Sequence, residues 1–143
     1  MVTPVVVDTS VLVGWFQDGS GPGSAAARAI RTAHIAGQVD ARVLDLGLYE
    51  IGNLLVEALR WPAPKAADQL EDLLAICGQP VTLSSAWLRD AATIAGLHDL
   101  SFYDAAWVAA AENLVAPLVS VNQKLLAVGL AETPQALVAR LGL

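Results

Sequence analysis

The chain is poor in cysteine, in positive charge and in aromatic residues, and it has no long apolar run. Its one cysteine, Cys77, cannot close an internal disulfide. Set in the helix-like stretch Leu73 to Cys77, it reads as a small buried hydrophobe rather than a reactive thiol. Eight Lys and Arg against fourteen Asp and Glu give a net charge of −6. That balance argues against a protein that coats nucleic acid by bulk electrostatics. It leaves room for an enzyme that meets phosphate through bound cations, and for a basic protein partner. Although mean hydropathy is positive, no stretch reaches the roughly 18 uninterrupted apolar residues of a membrane helix. The longest candidate, Ala105 to Val121, is broken by Glu112, Asn113 and Pro117, so no membrane role is expected. No basic segment precedes an apolar region at the N-terminus, so no secretory signal is read, and the cytoplasm is the expected compartment.

What is present begins with Pro4-Val5-Val6-Val7-Asp8-Thr9-Ser10. Branched side chains pack well on a pleated surface. A short apolar run without alternation reads as a strand buried on both faces, hence parallel and central. Ligand sites of open α/β sheets lie outside the carboxyl ends of their strands, and Asp8 stands at such an end. A short helix follows from Ser10 to Phe16, capped by Thr9 or Ser10. A loop over Gln17 to Gly23 leads to an Ala-rich helix that Ser24 caps and Gly37 stops. Further strands are expected at Ala41–Leu44, Pro80–Leu83 and Ala116–Ser120. Further helices are expected at 46–60 (capped by Asp45), 64–77, 86–97, 104–114, 123–128 and 134–141. Strands alternating with helices imply an α/β fold with a mostly parallel sheet. With no repeat, linker or low-complexity tract, residues 1–143 read as a single domain.

Four polar residues stand out against apolar surroundings: Asp8, Glu50, Asp104 and Asn122. Glu50 and Asn53 are three residues apart and share a helix face, and Glu57 continues the row. If the first and last strands are neighbours, Asp8 and Ser120 to Asn122 lie side by side. Clustered carboxylates cannot all remain ionised without countercharge. A hard divalent cation, Mg²⁺ or Mn²⁺, resolves that conflict, and the chemistry so indicated is metal-assisted hydrolysis. Blander readings stand beside it. Asp45 and Asp104 can be helix caps, Asp8 a structural acceptor at a strand end, and Glu57 an exposed helix residue.

Four motifs, in order and spread over nearly the whole chain, resemble those of PIN domains. They are Val6-Val7-Asp8-Thr9-Ser10-Val11-Leu12, Tyr49-Glu50-Ile51-Gly52-Asn53-Leu54-Leu55, Leu100 to Trp107, and Leu118 to Leu126. Length and compactness resemble the VapC-type toxins of prokaryotic toxin–antitoxin pairs. The resemblance implies a PIN-like α/β/α sandwich and a Mg²⁺- or Mn²⁺-dependent ribonuclease, homodimeric and neutralised by a small antitoxin. By position, it implies that Asp8, Glu50 and Asp104 are metal ligands. Thr9 or Ser10 and Ser120 would orient ligands or water, and Asn53 would support Glu50. The fourth motif departs from the pattern: Asn122 stands where Asp is usual. An amide can coordinate through its carbonyl oxygen or hydrogen-bond a bound water, but it brings no charge, which weakens a second metal more than a first.

The remaining conspicuous residues read as structural. Trp15, Trp61, Trp87 and Trp107 sit at helical positions suited to core or dimer packing. His34 and His98 have no metal-ligand partners at recognisable spacing. The basic residues are scattered, and Lys124, two residues past Asn122, is the best placed to meet phosphate. The leading reading is therefore a toxin endoribonuclease. The competing one, which Asn122 motivates, is a degenerate PIN domain that binds RNA or a protein without cutting. A phosphatase of doubly wound fold would need a second Asp where Ser10 stands.

Overall fold

The computed structural model describes residues 2–17, 19 and 22–143. Strand β1 (Thr3–Val7) lies between β2 (Val39–Arg42) and β3 (Leu118–Val119), both parallel to it. Val5, Val6 and Val7 are fully buried, as an unalternating apolar strand covered on both faces requires. Single parallel bridges extend the sheet at both flanks, Leu44 with Val81 and Val119 with Glu132. The strand expected at Pro80–Leu83 is thus one bridging residue, and those at Ala41–Leu44 and Ala116–Ser120 are displaced or shorter.

Helices cover both faces, which makes this an α/β fold of the expected α/β/α kind. They are α1 (Thr9–Leu12), α2 (Pro22–Ile35), α3 (Asp45–Asn53), α4 (Ala63–Cys77), α5 (Ser85–His98), α6 (Phe102–Leu114), α7 (Gln123–Ala127) and α8 (Pro134–Leu141). A 3-10 turn over Val13–Trp15 continues α1. A π-helical turn over Leu54–Ala58 continues α3, so the helix expected to run evenly from Leu46 to Arg60 widens midway. α6 is buried around most of its circumference, from Ala105 to Ala111. It packs on β1, β3 and α5; an all-apolar helix is stable only in such a place. No helix among the described residues is long and apolar enough to cross a membrane.

Several helix starts differ from expectation, three of them because the local acceptor nearest the free N–H groups wins. Asp8 itself caps α1, its carboxylate accepting from the Val11 N–H, where Thr9 or Ser10 was expected. Asp45 is the first residue inside α3 and its side chain accepts from the Leu46 N–H at 2.9 Å, while Leu44 occupies the cap position. Ser101 caps α6 through the Asp104 N–H, so Asp104 lies within the first turn. α2 begins at Pro22, two residues before Ser24, as proline's fixed φ favours. Of the loop expected at Gln17 to Gly23, Asp18, Ser20 and Gly21 lie outside the described residues.

Candidate active site

The carboxyl end of β1 opens into a cavity of about 440 Å³ lined by Asp8, Thr9, Ser10, Glu50, Asn53, Glu57, Asp104, Trp107 and Asn122, with Val13, Leu54 and Ala58. Each polar member arrives by a local rule. Parallel pairing of β1 with β3 brings Asp8 beside the end of the last strand, its N–H donating to the Val119 carbonyl at 3.2 Å. α3 carries Glu50 and Asn53 on one face, and the first turn of α6 supplies Asp104. The N-terminus of α7 supplies Asn122.

Asp8 is buried, 6 % exposed. The Ser10 hydroxyl donates to its Oδ1 at 2.5 Å and the Val11 N–H reaches the same atom at 3.4 Å. Burial pushes the Asp8 carboxyl above the usual carboxylate range. The Ser10 and Ser120 hydroxyls and the N–H groups of Val11 and Ser10 pull the other way without reversing it. Ser120, fully buried, lies 3.4 Å from Ser10 by its hydroxyl and accepts from the Asn122 N–H at 2.9 Å. The two serines thus tie the ends of β1 and β3 together beneath Asp8.

Glu50 is exposed, yet its Oε1 accepts from the Thr9 hydroxyl at 2.9 Å and from the Trp107 indole N–H at 3.4 Å. Asn122 is held at both ends. Its Oδ1 accepts from the Lys124 N–H at 3.0 Å, and its Nδ2 donates to Asp104 Oδ2 at 3.2 Å. The first bond fixes the second, because a reversed amide would set N–H against N–H. The amide carbonyl therefore caps α7, and the amine end supports the Asp104 carboxylate. Lys124 itself is exposed on α7 and is not among the lining residues.

Among the described residues, four acids line the cavity and no Lys or Arg does. The two ion pairs among the described residues, Arg42 with Asp40 and Arg140 with Glu132, lie elsewhere. The donors are all oxygen or amide, the set that suits a hard divalent cation. Among the described residues no three His, Cys, Asp or Glu side chains stand arranged around a single point.

Of the residues the sequence singles out for the site, all but Lys124 are brought together; two further lining residues with polar groups, Glu57 and Trp107, read as structural in the sequence. Glu57, read as a plain exposed helix residue, is exposed and lines the cavity; its place in the row of Glu50 and Asn53 was the available signal. Trp107, read as packing, is buried but also touches Glu50, and its spacing of three from Asp104 put both on one helix face. Cys77 is half-buried beside a small apolar pocket of Leu12, Val43, Leu48 and Leu73. Burial pushes its thiol up to about 12, which leaves it inert.

A family model described as PIN domain matches residues 5–130. No curated protein matches the sequence. Among solved structures, the chain is similar to PAE2754 from Pyrobaculum aerophilum, with 25 % identity and a TM-score of 0.69 over 99 % of this chain and 98 % of that one. It is also similar in fold to a chain of a toxin–antitoxin complex from Klebsiella pneumoniae. There the identity is 15 % and the TM-score 0.66, over 91 % of this chain and 97 % of that one.

Proposed function

This chain belongs to the PIN-domain family, and from that premise we propose that it is a divalent-metal-dependent endoribonuclease and the toxin of a VapBC-type pair. PIN domains are generally nucleases. The observation that carries the reading is the cavity's charge: Asp8, Glu50, Glu57 and Asp104 share it without one cationic side chain. Such a site is short of positive charge alone. Mg²⁺ or Mn²⁺, when bound, would supply that charge and the Lewis acidity that phosphodiester hydrolysis uses.

In this reading Asp8, Glu50 and Asp104 hold the cation. Ser10 and Ser120 keep Asp8 in place, Thr9 keeps Glu50 in place, and Asn122 steadies Asp104 through its Nδ2. Asn53, exposed on the Glu50 face, orients substrate or water. Lys124, outside the cavity, meets a backbone phosphate of the RNA. The negative mouth suits a cationic segment of a small antitoxin, and the structural likeness to a chain from a toxin–antitoxin complex supports such a partner. Homodimerisation through exposed apolar residues such as Tyr49 and Tyr103 belongs to the same reading.

A second reading, a PIN domain that binds RNA or protein without cutting, is favoured by one observation: the Asn122 carbonyl is committed to the Lys124 N–H. One experiment separates the two. A mixed RNA pool is incubated with the protein in Mg²⁺, Mn²⁺ or EDTA, beside Asp104→Asn and Asn122→Asp. The nuclease reading expects metal-dependent cleavage, at least 100-fold reduced in Asp104→Asn, as for loss of a central electrostatic group. Cleavage by Asn122→Asp alone would favour the binding reading.

A further inference from the structure

We propose that Trp107 is a positioning residue for Glu50, and that Gly47 is the residue that lets it act as one. The proposal rests on the reading of Glu50 as a cation ligand. Trp107 is the single large side chain in the buried run from Ala105 to Ala111. It is 3 % exposed, yet its ring forms part of the cavity wall. Its indole N–H donates to Glu50 Oε1 at 3.4 Å, and the Thr9 hydroxyl donates to the same oxygen at 2.9 Å. Two donors on one oxygen fix a long, exposed carboxylate that would otherwise sample many rotamers. The other oxygen is left for a cation. Loss of a partner that orients a ligand in this way typically costs about 10- to 100-fold in metal affinity.

Gly47 explains how so large a ring comes so close. It lies one turn before Glu50 on α3. A Cβ built there would fall 2.9 Å from Trp107 Cη2, 3.2 Å from Cζ2 and 3.1 Å from Val43 Cγ1. Its φ is not positive, so space rather than backbone freedom requires the glycine. The Cζ2–Cη2 edge of the indole enters the gap, and Nε1, two bonds from Cζ2 on the same side of the ring, then comes up to the carboxylate one turn on.

The test is Mn²⁺ binding by calorimetry to the full chain, with melting temperature measured beside it. Trp107→Phe keeps an aromatic ring and removes the N–H. The smaller ring leaves a cavity and lowers the melting temperature of the metal-free protein. In protein that remains folded at the assay temperature it is expected to weaken Mn²⁺ binding about 10-fold, and to add no further loss in a Glu50→Gln background. In parallel, the four indole N–H signals of ¹⁵N-labelled parent and Glu50→Gln proteins are compared, which needs no change at Trp107. The Trp107 signal is expected to shift. Parent-like Mn²⁺ affinity in Trp107→Phe, an equal loss in the Glu50→Gln background, or an unmoved Trp107 signal each overturns the proposal while leaving the metal site intact. Failure of the parent to bind Mn²⁺ overturns both this proposal and the metal-dependent reading.

Discussion

At the scale of the residue, Asp8 joins two demands that conflict. It caps α1 and stands at the candidate centre, and burial raises its carboxyl above the ordinary value of 3.8. An acid whose folded pKa is raised holds its proton more tightly when folded. Its contribution is therefore most favourable below 3.8, and it is lost as pH rises from there through the folded pKa. Above that window the ionised group costs stability unless a cation balances it. Asp8→Asn keeps an oxygen for Ser10 and Val11 and removes the charge. In EDTA at neutral pH it is expected to melt above the parent protein, the gap closing as pH falls toward 3.8. With Mn²⁺ the order is expected to reverse, because on the proposed reading the variant has lost a ligand. Thermal melts across pH, with and without metal, check both halves. A stability gain bought by removing a functional charge is common at strained sites.

At the scale of the element, two joints carry more than their sequence advertises. His34, near the end of α2, accepts from the Ala41 N–H of β2 at Nδ1 (3.0 Å) and bonds the Ile76 carbonyl of α4 through Nε2 at 2.6 Å. The backbone donor makes Nδ1 the acceptor, so Nε2 carries the proton. His34→Ala orphans both backbone groups and is expected to cost about 2 kcal/mol, read as a lower urea midpoint at unchanged slope. Val115, which ends α6, sits at φ 52° and is 86 % exposed. A β-branched residue in the left-handed region is strained, so Val115→Gly is expected to stabilise by about 1 kcal/mol, roughly 3 °C in melting temperature at this length. Joints of this sort also mark what the sequence can disclose. Asp8 was legible because a short apolar run ends on it, and α8 was legible to the residue because Thr133 and Pro134 announce its start. The strand expected at Pro80–Leu83 shrinks to a single rung at Val81, a difference the sequence does not show because an edge needs only one bridging residue. The contact between Trp107 and Glu50 was not legible, because it exists only after α3 and α6 have packed.

At the scale of the whole molecule, a net charge of −6 and an unpaired acidic cavity act in the same direction. Both attract cations, and both repel a polyanion such as the proposed RNA substrate when cations are absent. Mn²⁺ at about 100 times its dissociation constant is expected to stabilise the fold by about 2.7 kcal/mol, roughly 5–10 °C. Raising NaCl is expected to weaken that effect through screening. Differential scanning calorimetry over a Mn²⁺ series at two salt concentrations measures it, and no Mn²⁺-dependent rise at either would contradict the electrostatic account.

The two flanks of the sheet have a further consequence. Sheet edges invite other chains when they offer several free N–H and C=O groups in a row. Here, among the described residues, Val81 and Glu132 each close a flank as a single rung. Ser84 and Thr133 cap helices within three residues of those rungs. On the β2 side the His34 ring also occupies the Ala41 N–H. Among the described residues, a chain with this much Val, Leu and Ala thus presents little edge on which a fibril could template itself, its apolar strands being held out of reach.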